Sequence, residues 1–136
     1  MYFNRIFSQT KYLENALDAS SLRNQVIQNN IANAETPNFK ASSVDFESTF
    51  QRALLNQGGF QNKQTREKHI AFDTSIDNVK GTVYQHNNTT MKMDGNNVDI
   101  DYENAQLAKN QIYYSTLVQK LNSEFSRLRM AIREGS

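Results

Sequence analysis

The sequence predicts a mainly α fold, with two long terminal helices packed antiparallel as an elongated coiled-coil-like hairpin and a small irregular middle segment containing short strands. Three observations predict it. Apolar residues recur at helical spacing at both ends, the region between is broken by Gly, Asn and Thr, and the single proline, Pro37, falls where the first helical pattern stops. Two amphipathic segments of similar length, each with one apolar stripe, cover each other most economically side by side.

The first helical pattern runs from about 8 to 34, where Leu13, Leu17, Ser20, Asn24, Ile27 and Ile31 follow a 4-3-4-3-4 spacing. Ser20 and Asn24 are the polar positions of that stripe. The helix must end before Thr36-Pro37, because a proline disfavours the α conformation in the residue ahead of it. Close to that stop stand Asn29, Asn30 and Asn33, a residue type that is poor in helices and costly to bury unless its amide is hydrogen-bonded. Asn29 and Asn33 continue the row of Leu22 and Val26, while Asn30 and Ala34 lie behind Ile27 and Ile31. We read these rows as a packed face whose amides set register across subunits, as a buried Asn does in a coiled coil. Solvent-facing asparagines that merely cap the helix are the plainer alternative.

From 41 to about 97 short apolar groups alternate with Gly, Asn and Thr. Val44-Asp45-Phe46-Glu47 leads into a short predicted helix through Phe50, Leu54 and Leu55, stopped by Gly58-Gly59. Ile70-Ala71-Phe72 and Thr82-Val83-Tyr84 read as short strands, Thr89, Met91 and Met93 alternate on one face, and Asp94-Gly95 is a turn signal.

The second long helix runs from Asp99 or Asp101 to about Arg133. Its seam is Leu107, Gln111, Tyr114, Val118, Leu121, Phe125, Leu128 and Ile132, at 4-3-4-3-4-3-4 spacing, the most regular periodicity in the chain. Either aspartate can cap its start, Glu103 suits the positive end of the helix dipole, and Arg127, Arg129, Arg133 and Gly135 suit its finish. At about 1.5 Å per residue the two helices span roughly 40 and 50 Å. Helices that long in so small a chain leave further faces exposed, which implies packing against other subunits. The predicted organisation is therefore an inner coiled-coil domain made of 1–40 and 98–136, with 41–97 as a projecting middle segment.

Composition narrows the function. The 136 residues carry a net charge of +1 with acids and bases interspersed, so there is no field of one sign to hold nucleic acid. Apolar residues make up 38% and the mean hydropathy is −0.73, and no apolar run is long enough for a membrane span or a signal h-region. The absence of cysteine removes thiol chemistry. His69 and His86 lie in the middle without an H-E-x-x-H frame and read as surface histidines. The acidic stretch 94–101 fails the calcium-loop pattern, Asn88-Thr89-Thr90 is too short a motif to weigh, and Gly58-Gly59 lacks a phosphate-loop frame. Nothing resembles a nucleophile with its base, so neither an enzyme nor a cofactor is expected.

Leu22 to Lys40, with Asn30-Ile31-Ala32-Asn33-Ala34 followed by Thr36-Pro37 and Phe39-Lys40, resembles the N-terminal signature of bacterial flagellar axial proteins, the rod and hook group. That signature commonly has glycine after the proline; here Asn38, a residue tolerant of the left-handed conformation, stands in its place. Val44 to Glu47, Asp94 to Glu103 and Phe125 to Gly135 are similar to segments of the proximal-rod members, whereas 56–90 has no recognisable match.

The resemblance implies a structural subunit of the proximal rod of the flagellar basal body, a helical drive-shaft tube crossing the periplasm. It implies export through the flagellar type III apparatus without a cleavable signal peptide. The implied partners are copies of itself, neighbouring rod proteins, the membrane-ring adaptor protein and the export gate, with no nucleic acid and no direct membrane span. Packing between subunits is expected from Leu13, Leu17, Ile27, Asn29, Asn30, Ile31, Asn33, Leu107, Tyr114, Val118, Leu121, Phe125, Leu128 and Ile132, with Thr36, Pro37 and Asn38 as the helix stop and turn. The competing readings are a neighbouring rod subunit of the same family and a soluble helical-hairpin adaptor or export-chaperone-like module.

Overall fold

A computed structural model describes residues 2–57 and 79–134, with side chains from 9 to 55 and from 79 to 133. No Gly or Pro precedes Pro37, so nothing halts the first helix early. Helix α1 accordingly spans Tyr2–Ala32, starting before its apolar stripe becomes legible and ending ahead of Thr36-Pro37. At the other end, helix α3 spans Ile100–Glu134. Asp99 caps it: its Oδ1 accepts from the N–H groups of Asp101 at 3.0 Å and Tyr102 at 3.2 Å, and its carbonyl takes the Glu103 N–H at 2.9 Å. Asp101 and Glu103 then sit in the first turn, where the dipole favours carboxylates.

The two helices run antiparallel. Ser20 of α1 meets Asn110 of α3, and ten residues further along α1 Asn30 meets Glu103. Between them lie Leu13, Ala16, Ala19 and Leu117, all buried, with Tyr12, Leu17, Tyr113 and Leu121 packed alongside. The small alanines let α3 and the middle segment approach α1 closely. Burial of these side chains, at about 25 cal/mol per Å² of apolar surface, is the main term holding the hairpin together.

The middle segment adds β1 (Ser42–Asp45), α2 (Glu47–Gln57) and β2 (Thr82–Gln85). The strands pair antiparallel with Ser42 opposite Gln85 and Val44 opposite Val83. Strand β1 is a correction to the sequence reading, which took Val44 to Glu47 only as the lead into a helix. The β-branched Val44 is buried beneath the hairpin, and Asp45 accepts from the Ser48 N–H and hydroxyl to start α2. Phe46, Ala53 and Val79 complete the same core, and the rings of Tyr12 and Phe50 stack with centroids 4.1 Å apart. Gly81 sits in a tight place just ahead of β2, since a Cβ there would stand 3.0 Å from Val44 Cγ1 and 3.3 Å from Ala19 Cβ and its neighbours would have to give by a few tenths of an ångström.

The alternation at Thr89, Met91 and Met93 does not become a strand. The Met91 and Lys92 N–H groups both donate to the Asn96 carbonyl, which bends the segment into a turn through Asp94-Gly95. The predicted strand at 70–72 and the glycine stop at 58–59 lie outside the described residues. Among the described residues no helix is long and apolar enough to cross a membrane.

Candidate functional site

The asparagines of the helix stop build a clasp that ties both ends of the chain to the middle. The Asn30 side chain is wholly buried. Its Nδ2 donates to the Ser42 carbonyl at 2.8 Å and to Glu103 Oε1 at 3.0 Å, while its Oδ1 accepts the Ser42 N–H at 3.0 Å. The amide thus imitates a neighbouring strand and satisfies the edge of β1 that faces α1. Arg23 continues along that edge, with Nη2 3.3 Å from the Val44 carbonyl and 2.7 and 2.9 Å from the Glu47 carboxylate oxygens.

Two further asparagines complete the clasp. Asn96, also wholly buried, donates to the carbonyls of Asn33 at 3.0 Å and Thr36 at 2.8 Å, which also accept the turn N–H groups of Thr36 and Phe39 past the end of α1. Asn97 accepts the Ala41 N–H at 2.7 Å and donates to the His86 carbonyl at 2.7 Å and Thr89 Oγ1 at 3.0 Å. Lys92 Nζ reaches the Ala34 carbonyl at 2.8 Å, and Lys40 Nζ reaches the carbonyls of Thr89 and Gly95. Asn38 adopts φ 60°, the left-handed conformation expected at that place, and its N–H donates to the Asp94 carbonyl at 3.0 Å. Gly95 faces it with φ 86°, and a Cβ there would stand 2.6 Å from Asn38 Oδ1. The Thr36-Pro37-Asn38 turn and the 91–95 turn therefore interlock.

Between the helices a fourth amide plays the register-setting part. Asn110 Oδ1 accepts from the Ser20 hydroxyl at 3.0 Å, and its Nδ2 donates to the Ser20 carbonyl at 2.8 Å and Asn24 Oδ1 at 3.4 Å. The two polar positions of the α1 stripe thus share one partner on α3. Burial pushes the Glu103 carboxyl above the usual glutamate range, and Asp99 adds to this while the Asn30 bond opposes it. At Glu47 burial acts in the same upward direction, but the bonds and charge of Arg23 together with the backbone N–H groups of Glu47 and Phe46 outweigh it and hold the group below its ordinary value.

Among the expected packing residues, Leu13 and Ile27 are buried, and Leu17 and Leu121 pack half-buried against the chain's own core. Ile31, Leu107, Val118 and Leu128 are half-buried, and Asn29 is exposed. Asn33 is half-buried and closes a local loop, donating to the Asn29 carbonyl and side chain and accepting from the Thr36 hydroxyl. Asn30 spends its amide inside the chain, because β1 passes directly beneath it.

The face that α3 turns to α1 is displaced by one residue from the apolar seam. Glu103, Asn110, Leu117 and Glu124, seven residues apart, are the buried positions, and Tyr113 flanks them. Tyr114, Phe125 and Ile132 of the predicted seam remain 45%, 49% and 56% exposed. Sequence reasoning missed Asn96, Asn97 and Asn110. An asparagine doublet at 96–97 mirroring the one at 29–30 was the available signal for the clasp.

Ser43 Oγ and His86 Nε2 lie 2.8 Å apart across the β1–β2 pair and tie the two segments together. Among the described residues no group of three His, Cys, Asp or Glu side chains is placed to hold a metal ion. His69 lies outside them.

Comparison with known proteins follows the same outline. No family model matches the chain. It is similar to the flagellar basal body rod protein FlgB of Bacillus subtilis (strain 168), 37% identical over 133 residues that cover 96% of this chain and 98% of that protein. It is 34% identical over 131 residues to FlgB of Aeromonas hydrophila, covering 96% of this chain and 95% of that one. With FlgB of Borreliella burgdorferi it shares 35% identity over 121 residues, 86% of this chain and 90% of the other. Relatives this similar, matched over nearly their whole length, show that the chain belongs to the FlgB family of flagellar basal body rod proteins.

Proposed function

We propose that this chain is a structural subunit of the proximal rod, exported by the flagellar type III apparatus and assembled into a helical tube. Residues 1–40 and 98–136 form its inner coiled-coil layer, and 41–97 form the projecting middle. Its partners are copies of itself, neighbouring rod proteins, the membrane-ring adaptor and the export gate, and its place is the periplasmic part of the basal body. One observation carries the reading: α1 covers a polar-containing stripe of α3 and leaves Tyr114 and Phe125 of the regular apolar seam in solvent. Large apolar side chains in a row on a long helix are a surface for another helix.

The test separates folding from assembly. Phe125→Asp alters a side chain that is half exposed in the single chain, so the purified variant keeps its helical content and unfolds within about 1 kcal/mol of the parent. Incorporation into isolated basal bodies, and motility, are lost, because the charge is buried without a partner on assembly. Normal recovery of the variant in basal bodies overturns the reading. Leu121→Asp is a poorer test, since Leu121 packs in the chain's own core.

A further inference from the structure

We propose that the 91–95 turn of one copy of this chain seats against the last turns of α3 in a second copy, an end-to-end contact. The inference rests on the rod reading above and names residues that join successive copies. Met93 is fully exposed and Met91 is 66% exposed, yet the turn that presents them is firmly held. The Gly95 N–H donates to the Lys92 carbonyl at 3.1 Å, the Met91 and Lys92 N–H groups donate to Asn96, and Lys40 Nζ clamps the Gly95 carbonyl at 2.7 Å. A rigid turn that holds two methionines in water offers a preorganised apolar knob, and the unbranched thioether side chain adapts to the surface it meets. Exposed Asp94, Asp99 and Asp101 give this end of the molecule its acidic character, while Lys92 of the turn is paired with Glu35 at 3.1 Å and Glu103 is buried.

The opposite end of the molecule has the complementary chemistry. Phe125, Leu128, Arg129 and Arg133 line a shallow depression together with Asn122 and Ser126. From 120 to 133 the chain carries four basic residues against one acidic. The 35 residues of α3 put about 50 Å between the two ends, so the knob of one copy cannot reach the depression of its own chain. A second copy supplies it with matching charge, which orients the encounter. The two surfaces differ, so the contact is heterologous, and its repetition builds an open helical row wherever the rotation does not close into a ring.

The chain has no cysteine, which makes the contact directly readable. Full-length Met93→Cys and Ser126→Cys chains are mixed and oxidised across a concentration series, with association of the parent chain followed by sedimentation. The expected result is mixed disulfide dimers in clear excess over both homodimers. Adding Arg129→Glu to the Ser126→Cys chain lowers their yield roughly tenfold, and adding Asp94→Arg to the Met93→Cys chain restores it. Association without a mixed excess, a parent chain that stays monomeric throughout, or a cross-link indifferent to the charge reversals each overturns the proposal. The same outcome follows if Met93→Cys is captured in cells only by a different protein. Recovery of the parent chain in basal bodies tests the rod reading separately, so a failed cross-link beside a positive recovery removes only this contact.

Discussion

Asn30 shows how one side chain can decide the shape of a junction. Its amide replaces the neighbour that β1 lacks on the α1 side, and it is wholly buried with three bonds made. Asn30→Ala strands the Ser42 N–H and carbonyl and one oxygen of Glu103, at a cost of about 2 kcal/mol in unfolding free energy measured by urea titration. Asn29→Ala, at an exposed position one residue away, changes it by about 0.5 kcal/mol or less. Equal losses at the two positions would contradict the clasp. The sequence showed that these amides needed partners, because asparagine inside a helix is costly otherwise. It did not show that the partner would be the backbone of Ser42, since that depends on how the Thr36-Pro37-Asn38 turn returns the chain.

At the scale of elements, the end of α1 was legible from the proline and the start of α3 from Asp99, whose effects are local, whereas α1 begins at Tyr2, ahead of its legible stripe. Strand β1 was not, because four residues with one apolar side chain carry too little alternation to register. The α3 seam was legible as a stripe, but periodicity says nothing of which partner covers it. Inside the chain α1 covers the neighbouring stripe, where Asn110 and Glu103 find hydrogen bonds and Leu117 finds the alanine face.

The α1–α3 junction also carries a pH dependence. The folded-state pKa of Glu103 is raised by burial, so the native chain holds its proton more tightly than the unfolded chain. The contribution of this group to stability is greatest below the unfolded glutamate value and is lost as pH rises through the higher folded value. Glu103→Gln removes the charge and keeps an acceptor for Asn30. In unfolding titrations from mildly acidic to neutral pH, the variant should therefore gain on the parent as pH rises. A difference that shrinks with rising pH would show that the ionised carboxylate is the stabilising form.

At the scale of the whole molecule, the fold class followed from two stripes at the ends of a short, uncharged-polar chain, and the structure has that hairpin. The same helices present two kinds of surface. One is spent internally, with asparagine and glutamate fixing the fit; the other, the regular seam through Tyr114 and Phe125, stays open. A division of this kind suits a subunit that holds its own shape and completes its burial in company.

The most direct measurement of that division is a side-chain-resolution density map of an intact basal body with this chain traced. The account predicts Tyr114 and Phe125 packed against a neighbouring subunit, with Asn30 still bonded to Ser42 of its own chain. Tyr114 and Phe125 standing in solvent within the assembled rod would contradict it.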